Sequence, residues 1–221
     1  MVAVLLPVKK FHDSKKRLAD FLSPPERTLL AQTMFEDVWE TLRRAERLKQ
    51  GLELLFVVTA EPYVIARCRE EGVTCLEERE ARSHSDSVDR ATRWAMSLGV
   101  TSLLSVPIDT PAVTPSEIFE VIRLRNDHAV VVASSADGSG TNALLRTPPD
   151  AIAPHFGPGS CQLHLAEAQN KGLSCRIFQT DGFSHDLDTP EDLEKFLTLE
   201  RESRTRGLVS HFLKGRCGVT C

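Results

Sequence analysis

The chain has 221 residues, a formal net charge of −4, 41% hydrophobic residues and 26% charged residues. These values are ordinary for a globular protein and argue against general disorder. The negative charge gives no broad electrostatic reason to bind DNA or RNA, and no apolar stretch approaches the roughly 20 residues that a membrane span needs. We therefore expect no nucleic-acid partner and no membrane segment.

The first nine residues have no charged region ahead of their apolar run and no small-residue cleavage site after it. They are therefore predicted to form a first strand rather than a signal peptide. The six cysteines are scattered without C-x-x-C pairs, which is typical of reduced thiols in a cytosolic protein. A disulfide or metal ligation stays open for Cys217 and Cys221. We expect a cytoplasmic protein.

Short apolar runs alternate with helical patterns along the chain. Strands are predicted at residues 2–8, 52–59, 72–76, 101–108, 129–134 and 175–179, and helices after Ser23, Thr114 and Thr189 and at residues 62–71, 88–98 and 160–171. This alternation predicts a single-domain α/β fold with a doubly wound, mostly parallel sheet. We expect the domain to cover residues 1–200 and residues 201–221 to form a loosely held tail.

A basic segment follows the predicted first strand, with Lys9, Lys15 and Arg17 among five basic residues in nine positions. Open α/β sheets bind ligands in the crevice beyond the carboxyl ends of their strands. The segment therefore favours triphosphate binding over a plain solvated loop. His12 is interpreted as a surface residue.

Three aspartates are candidate metal ligands. Asp109 directly follows the strand at 101–108, where it holds a divalent ion or serves as an ordinary turn residue. Alternation in an extended segment points Asp186 and Asp188 to the same side. Two adjacent carboxylates repel unless a cation neutralises them, which indicates magnesium. The alternative is that these acids only begin the helix after Thr189.

Glycines are concentrated at residues 137–145, predicted as a loop, and at residues 156–160. Glycine lets backbone N–H groups approach an anion, and Gly159 and Ser160 would lie at a helix N-terminus that favours negative charge. Plain turns are the alternative interpretation. Neither G-x-G-x-x-G after the first strand nor G-x-x-x-x-G-K-[ST] occurs, so the dinucleotide fingerprint and the P-loop are excluded.

In combination, these segments resemble the guanylyltransferases of deazaflavin coenzyme biosynthesis. That family is similar in fold to the molybdenum-cofactor guanylyltransferases and to nucleotide-diphospho-sugar transferases, which have a Rossmann-like sheet. The matching residues are Pro7–Lys9, Ser14–Ala19, Asp109–Pro111, Gly140–Leu144, Phe156–Ser160 with His164, and Asp186–Leu193.

The resemblance implies a reaction in which 2-phospholactate, phosphoenolpyruvate or 3-phosphoglycerate attacks the α-phosphorus of GTP and releases pyrophosphate. A downstream transferase would accept the product, and the family also suggests a homodimer. The attacking phosphate oxygen is already an anion, so positioning and charge neutralisation can supply the catalysis.

The resemblance also implies a role for each matched residue. Magnesium would be held by Asp109, Asp186 and Asp188. The acid would be held by Thr141, Gly157 and Ser160. The triphosphate would be held by Lys9, Lys15 and Arg17.

Two departures from the family pattern leave alternatives open. Residues Ser83–Ser87 replace the usual Leu-Asn ahead of the central helix, which leaves guanine recognition open, and the first loop lacks glycines. The alternatives are a nucleotidyltransferase for another nucleotide or a sugar phosphate, and a nucleotide-binding regulator without catalysis.

Overall fold

A computed structural model describes residues 1–78 and 83–217, with the side chains described to residue 215. Its strands are β1 Val2–Val8, β2 Leu54–Thr59, β3 Thr74–Glu77, β4 Ser102–Ser105, β5 Val130–Ser134, β6 Thr141–Arg146 and β7 Cys175–Phe178. Its α-helices are α1 Pro24–Leu48, α2 Pro62–Glu71, α3 His84–Ser97, α4 Pro115–Arg123, α5 Ser160–Asn170, α6 Asp181–Ser184, α7 Pro190–Thr198 and α8 Arg204–Cys217. Short 3₁₀ turns occupy Phe11–Asp13, Lys16–Leu18 and Leu124–Asn126.

The strands form one sheet in the order β3-β2-β1-β4-β6-β5-β7. Strand β6 is antiparallel to both of its neighbours, β4 and β5, whereas the other pairs are parallel. The predicted mostly parallel, doubly wound α/β sheet is therefore confirmed. The carboxyl ends of β1 and β4 consequently share one edge with the first residues of β6.

Every residue of β1 is buried, as its continuous apolar sequence requires for a strand covered on both faces. Val4 and Leu6 belong to a core with α1, α2 and α4. Ala3 and Leu5 point to the opposite face, where they pack in a core with α3. A further core lies between α5 and strands β5 and β6. The helices thus cover both faces of the sheet and leave its edge beyond β1 and β4 for the site.

Three local predictions were wrong at their boundaries. The strand predicted at 101–108 is β4, which ends at Ser105 ahead of Pro107, a residue without a backbone N–H, so Asp109 lies four positions beyond the strand. The predicted loop at 137–145 ends at Gly140, because Thr141–Arg146 is the buried strand β6. Its apolar part is only Ala143–Leu145, too short to indicate a strand by periodicity. Helix α3 begins at His84 rather than residue 88, because the Ser83 hydroxyl accepts a hydrogen bond from the Asp86 amide at 3.1 Å and caps the helix.

The expectation of a loosely held tail was wrong for residues 204–215. Helix α8 packs with α1 through Val209 and Phe212, which lie three positions apart and share a core with Leu30 and Met34. The Asp37 carboxylate also accepts a hydrogen bond from the Thr205 amide at 2.8 Å. The question of a disulfide or ligation at Cys217 and Cys221 concerns side chains outside the described residues.

No helix in the described ranges 1–78 and 83–217 is both long enough and apolar enough to cross a membrane.

Candidate functional site

A cleft of about 690 Å³ lies beyond the carboxyl ends of β1 and β4. Every residue assigned a site role from the sequence lines this cleft except Ser160; the lining members are Lys9, Lys15, Arg17, Asp109, Thr141, Gly157, Asp186 and Asp188. These residues come from chain segments far apart in the sequence. The fold therefore brings the basic segment, the carboxylates and part of the glycine-containing segments to one place.

Lys15 is the central cation of the cleft. Its ammonium nitrogen donates hydrogen bonds to Asp109 Oδ1 at 2.6 Å and to Asp188 Oδ1 at 3.1 Å, and only 2% of its side chain is exposed. Arg17 is more exposed and lies 3.6 Å from Asp188 Oδ2. Lys15 thus connects Asp109, four positions beyond the end of β4, to the segment that begins α7.

The charges of this cluster stabilise one another. Burial by itself would lower the pKa of Lys15, but Asp109 and Asp188 raise it above its ordinary value. Burial likewise opposes the ionised form of Asp109, yet the Lys15 charge and hydrogen bond lower the pKa of that carboxyl. Lys15 and Asp109 are therefore a charged pair at neutral pH.

Asp186 has a different environment from the other two aspartates. Its Oδ1 accepts a hydrogen bond from the side-chain amide nitrogen of Asn142, Nδ2, at 3.1 Å. The same Nδ2 donates to the Phe183 carbonyl at 2.7 Å. Burial raises the pKa of Asp186, and the negative charge of Asp188 adds to this shift. Asn142 lies in the matched segment Gly140–Leu144, where the sequence indicates a side-chain donor for an anion but not its contact with Asp186.

The carboxylates of the cleft are oxygen ligands of the kind that magnesium prefers. Within the described residues, however, no group of three His, Cys, Asp or Glu side chains is arranged to hold a metal ion. Lys15 lies between Asp109 and Asp188, and Asp186 is bonded to Asn142. The donor chemistry fits the ion, but binding by all three carboxylates requires Lys15 to move. The three-aspartate metal site stays a prediction.

The turn at residues 135–140 uses much of its hydrogen-bonding capacity internally. Asp137 accepts from the Ser135 hydroxyl at 2.6 Å and from the Ser139 amide at 3.0 Å, and the Gly140 amide donates to Ser135 Oγ at 2.8 Å. The Ser135 hydrogen bond, with those of Ser139, lowers the pKa of Asp137 to about 2. These bonds shape the turn, so the Ser139 and Gly140 amides are not free to bind an anion.

Gly157 lines the cleft with a φ of +117°, a region that residues with a side chain rarely adopt. Ser160, by contrast, is 1% exposed and its amide donates to the Gly157 carbonyl at 3.2 Å. Ser160 is the first residue of helix α5. Because it is buried and does not line the cleft, it lies behind the cleft wall. Its role as a ligand of the acid stays a prediction.

His164 of α5 is fully buried behind Thr141. Its Nδ1 lies 3.1 Å from Thr141 Oγ1, and its Nε2 accepts a hydrogen bond from the His155 amide at 2.9 Å. Burial lowers the pKa of His164 to about 4. His164 matched the family pattern but had no assigned role, because sequence spacing does not show that its ring reaches β6.

A smaller hollow of about 270 Å³ adjoins the cleft and is lined by Lys9, Glu78, His84 and Ser87, among others. The Ser87 hydroxyl donates to Glu78 Oε2 at 2.7 Å. His84 and Ser87 lie in the first turn of α3, the segment that departs from the resembled family. That departure therefore falls beside Lys9.

A profile of the family described as "Guanylyl transferase CofC like" matches residues 2–213, which is nearly the whole chain. The chain belongs to this family. Among its CofC-like relatives is a phosphoenolpyruvate guanylyltransferase of Conexibacter woesei, 34% identical over 95% of this chain and 96% of the relative. A 3-phospho-D-glycerate guanylyltransferase of Colwellia psychrerythraea is 31% identical over 86% and 89%. A 2-phospho-L-lactate guanylyltransferase of Methanocaldococcus infernus is 28% identical over 86% and 81%. The CofC-like chain is therefore a guanylyltransferase.

Solved structures agree with this fold. A nucleotide-diphospho-sugar transferase homologue from Desulfovibrio desulfuricans G20 superposes with a TM-score of 0.76 over 95% of this chain and 94% of that one, at 14% identity. A Mycobacterium tuberculosis protein solved in complex with manganese superposes with a TM-score of 0.54 over 89% and 97%, at 18% identity. This chain therefore shares its fold with the nucleotidyltransferases.

Proposed function

We propose that this guanylyltransferase joins the GMP moiety of GTP to a phosphorylated three-carbon acid and releases pyrophosphate. The observation that carries the proposal is the single cleft lined by the cations Lys9, Lys15 and Arg17, by three carboxylates, and by Thr141 and Gly157. The acid is phosphoenolpyruvate, 2-phospholactate or 3-phosphoglycerate, the acids that the relatives' names contain.

The reaction needs charge neutralisation more than a nucleophilic side chain. A phosphate oxygen of the acid forms a bond to the α-phosphorus of GTP, the bond from that phosphorus to the β-phosphate bridging oxygen breaks, and pyrophosphate leaves. Both reactants are anions, so Lys9, Lys15 and Arg17 reduce their repulsion and hold the triphosphate. Thr141 and Gly157, with Ser160 behind them, orient the acid.

Magnesium is part of the proposal. Asp109, Asp186 and Asp188 would hold it, and it would supply further neutralisation of charge on the phosphates. Lys15 contacts two of these aspartates here, so it would have to leave them if all three held the ion, and it would then be available to the triphosphate.

We also propose a pathway, a compartment and an oligomeric state for the enzyme. The guanylylated acid is passed to a separate transferase in deazaflavin coenzyme biosynthesis, in the cytoplasm, and the enzyme acts as a homodimer. Support for this context comes from the family to which the chain belongs.

The test is pyrophosphate release from each of the four nucleoside triphosphates with each of the three acids, with and without magnesium. A coupled assay with the partner transferase covers a labile product. We expect turnover with GTP, magnesium and at least one acid. Turnover only with another nucleotide, or turnover with an added sugar phosphate and with none of the three acids, would overturn the proposal.

A pair of variants tests the carboxylates. Asp188→Ala is expected to keep the fold and lose nearly all turnover. Asp20 is exposed and does not line the cleft, so Asp20→Ala should retain turnover. Wild-type pyrophosphate release by Asp188→Ala would remove the proposed metal site.

A further inference from the structure

The imidazole of His164 joins two segments that the cleft requires. One ring nitrogen contacts Thr141 at the start of β6, and the other contacts the backbone of His155, just before the cleft-lining residues Phe156 and Gly157. The ring is fully buried, and Phe156 packs near it with ring centroids 6.2 Å apart. This position lets one side chain influence both parts of the proposed acid pocket.

The hydrogen bonds determine which nitrogen carries the proton. A backbone N–H can only donate, so Nε2 of His164 must be the acceptor for the His155 amide. The single hydrogen of a neutral ring is then on Nδ1. Burial, with the nearby charges of His155 and Arg146, lowers the pKa of His164 to about 4, so the ring is neutral at pH 7.

This tautomer determines what the Thr141 hydroxyl can do. His164 Nδ1–H donates to Thr141 Oγ1 at 3.1 Å, so the hydroxyl hydrogen itself is left for another acceptor. Among the described residues, the Thr141 hydroxyl makes no second hydrogen bond, and Thr141 lines the cleft. The hydroxyl is thus oriented to donate to a ligand.

We propose that His164 is a positioning residue that favours Thr141 as a hydrogen-bond donor to an anionic oxygen of the phosphorylated acid. This inference rests on the proposed function and deepens it. A hydroxyl that rotates freely serves as donor or acceptor. A hydroxyl that already accepts the His164 Nδ1–H at one of its two lone pairs has its hydrogen left for a carboxylate or phosphate oxygen, and this arrangement exists before the acid arrives.

The first experiment measures the tautomer and does not depend on turnover. Histidine-labelled 15N NMR of the wild-type protein is compared with His164→Asn to assign the ring. We expect a protonated Nδ1 and an unprotonated Nε2, unchanged between pH 8 and pH 6. A proton on Nε2, or titration of the ring in this range, would overturn the inference even if the enzyme is fully active.

The second experiment separates positioning from packing by steady-state kinetics. His164→Leu removes the donor, whereas His164→Asn keeps an N–H near the Nδ1 position. We expect His164→Leu to raise KM for the acid by up to about tenfold, because the Thr141 hydroxyl loses the hydrogen bond that orients it, with KM for GTP unchanged. His164→Asn should recover most of that loss.

Thr141→Val provides the matched comparison, because it removes the hydroxyl while leaving His164 in place. It should raise KM for the acid as His164→Leu does, and the double variant should be no worse than Thr141→Val alone. Additive effects, or equal losses in His164→Leu and His164→Asn for both substrates, would show a packing role only. If His164→Leu does not fold, His164→Asn and Thr141→Val still decide between these outcomes. If no acid is turned over at all, the proposed function fails and the tautomer measurement still judges the inference.

Discussion

The Lys15 ammonium lies 2.6 Å from the Asp109 carboxylate, although 94 positions separate the two residues in the chain. Lys15 also contacts Asp188, so a side-chain cation lies between two of the three aspartates proposed to hold magnesium. The backbone at Lys15 has a φ of +55°, a conformation that non-glycine residues seldom adopt. A metal ion held by all three aspartates, as proposed, would have to displace the Lys15 ammonium from this position.

Replacing Lys15 with Met should change metal binding and turnover in opposite directions. The variant leaves two carboxylates without their cation, so we expect magnesium or manganese to bind more tightly to the nucleotide-free protein. Turnover should fall by about 100-fold or more, because a triphosphate ligand is lost. Titration calorimetry with manganese and pyrophosphate release measure the two effects.

Lys16→Met is the control for metal binding, since Lys16 is the exposed neighbour of Lys15. It should leave manganese affinity close to that of the wild type. Weaker metal binding in Lys15→Met would contradict the competition between Lys15 and the metal.

Replacing Asp186 with Asn should stabilise the protein at neutral pH while it reduces turnover. Burial raises the pKa of Asp186, so the ionised carboxyl disfavours the folded state once the pH exceeds that raised value. The wild type thus loses stability as pH rises through the folded pKa, and the amide variant does not. Urea unfolding should show the variant to be more stable at pH 7 and the difference to disappear below the ordinary pKa of 3.8.

Asp20→Asn removes one negative charge at an exposed position and controls for net charge. A stability difference for Asp186→Asn that is the same at pH 7 and pH 3 would show that ionisation is not its cause.

Gly182→Ala should destabilise the segment that leads into Asp186. A Cβ at Gly182 would overlap the Glu117 carboxylate, which accepts the Gly182 amide at 2.9 Å and Arg201 Nη1 at 3.0 Å. We expect a loss of about 1–3 kcal/mol in the free energy of unfolding, measured by urea denaturation.

Gly207→Ala is a matched control in α8, where an added Cβ meets nothing within 4 Å. Because alanine favours helices, it should stabilise the protein by up to about 1 kcal/mol. Equal effects of the two substitutions would contradict the overlap with Glu117.

Val209→Ala tests whether α8 is part of the folded domain. Val209 is fully buried against α1, and the truncation should cost on the order of 2 kcal/mol in the free energy of unfolding. Leu29→Ala, on the exposed side of α1, should change stability by less than about 0.5 kcal/mol. Thermal denaturation that is the same for Val209→Ala and the wild type would mean that α8 is not held as described.

Capping residues, prolines and glycines in the sequence correctly predicted where several helices begin and end. Helix α2 covers the predicted residues 62–71, with Pro62 at its start and Gly72, at φ +68°, at its end. Helices α4 and α7 begin after Thr114 and Thr189 as predicted, and each of these residues forms a capping box. The aspartates that follow β4 and precede α7 do reach one cleft, because the sheet brings strand ends together.

Features that depend on tertiary packing were not predictable in the same way. Strand β6 has only three consecutive apolar residues and gains its burial from β4 and β5 on either side. Val209 and Phe212 of helix α8 lie in a segment that also contains several basic residues. Their burial therefore depends on the packing of α1 against them, which the sequence does not show. The contacts of Lys15 with Asp109 and Asp188 depend on side-chain conformation, so residue spacing showed a shared edge but not the ion pairs.

The reversed direction of β6 also has an evolutionary consequence. Thr141 and Asn142 reach the cleft from the first residues of this strand, after the turn at 135–140, whereas Lys9 and Asp109 follow the ends of β1 and β4. Mutations that lengthen or reshape that turn would remodel one rim while leaving the register of β1 with β4 intact. A fold of this kind can change its acceptor specificity over evolutionary time while it keeps the residues that are proposed to hold the nucleotide.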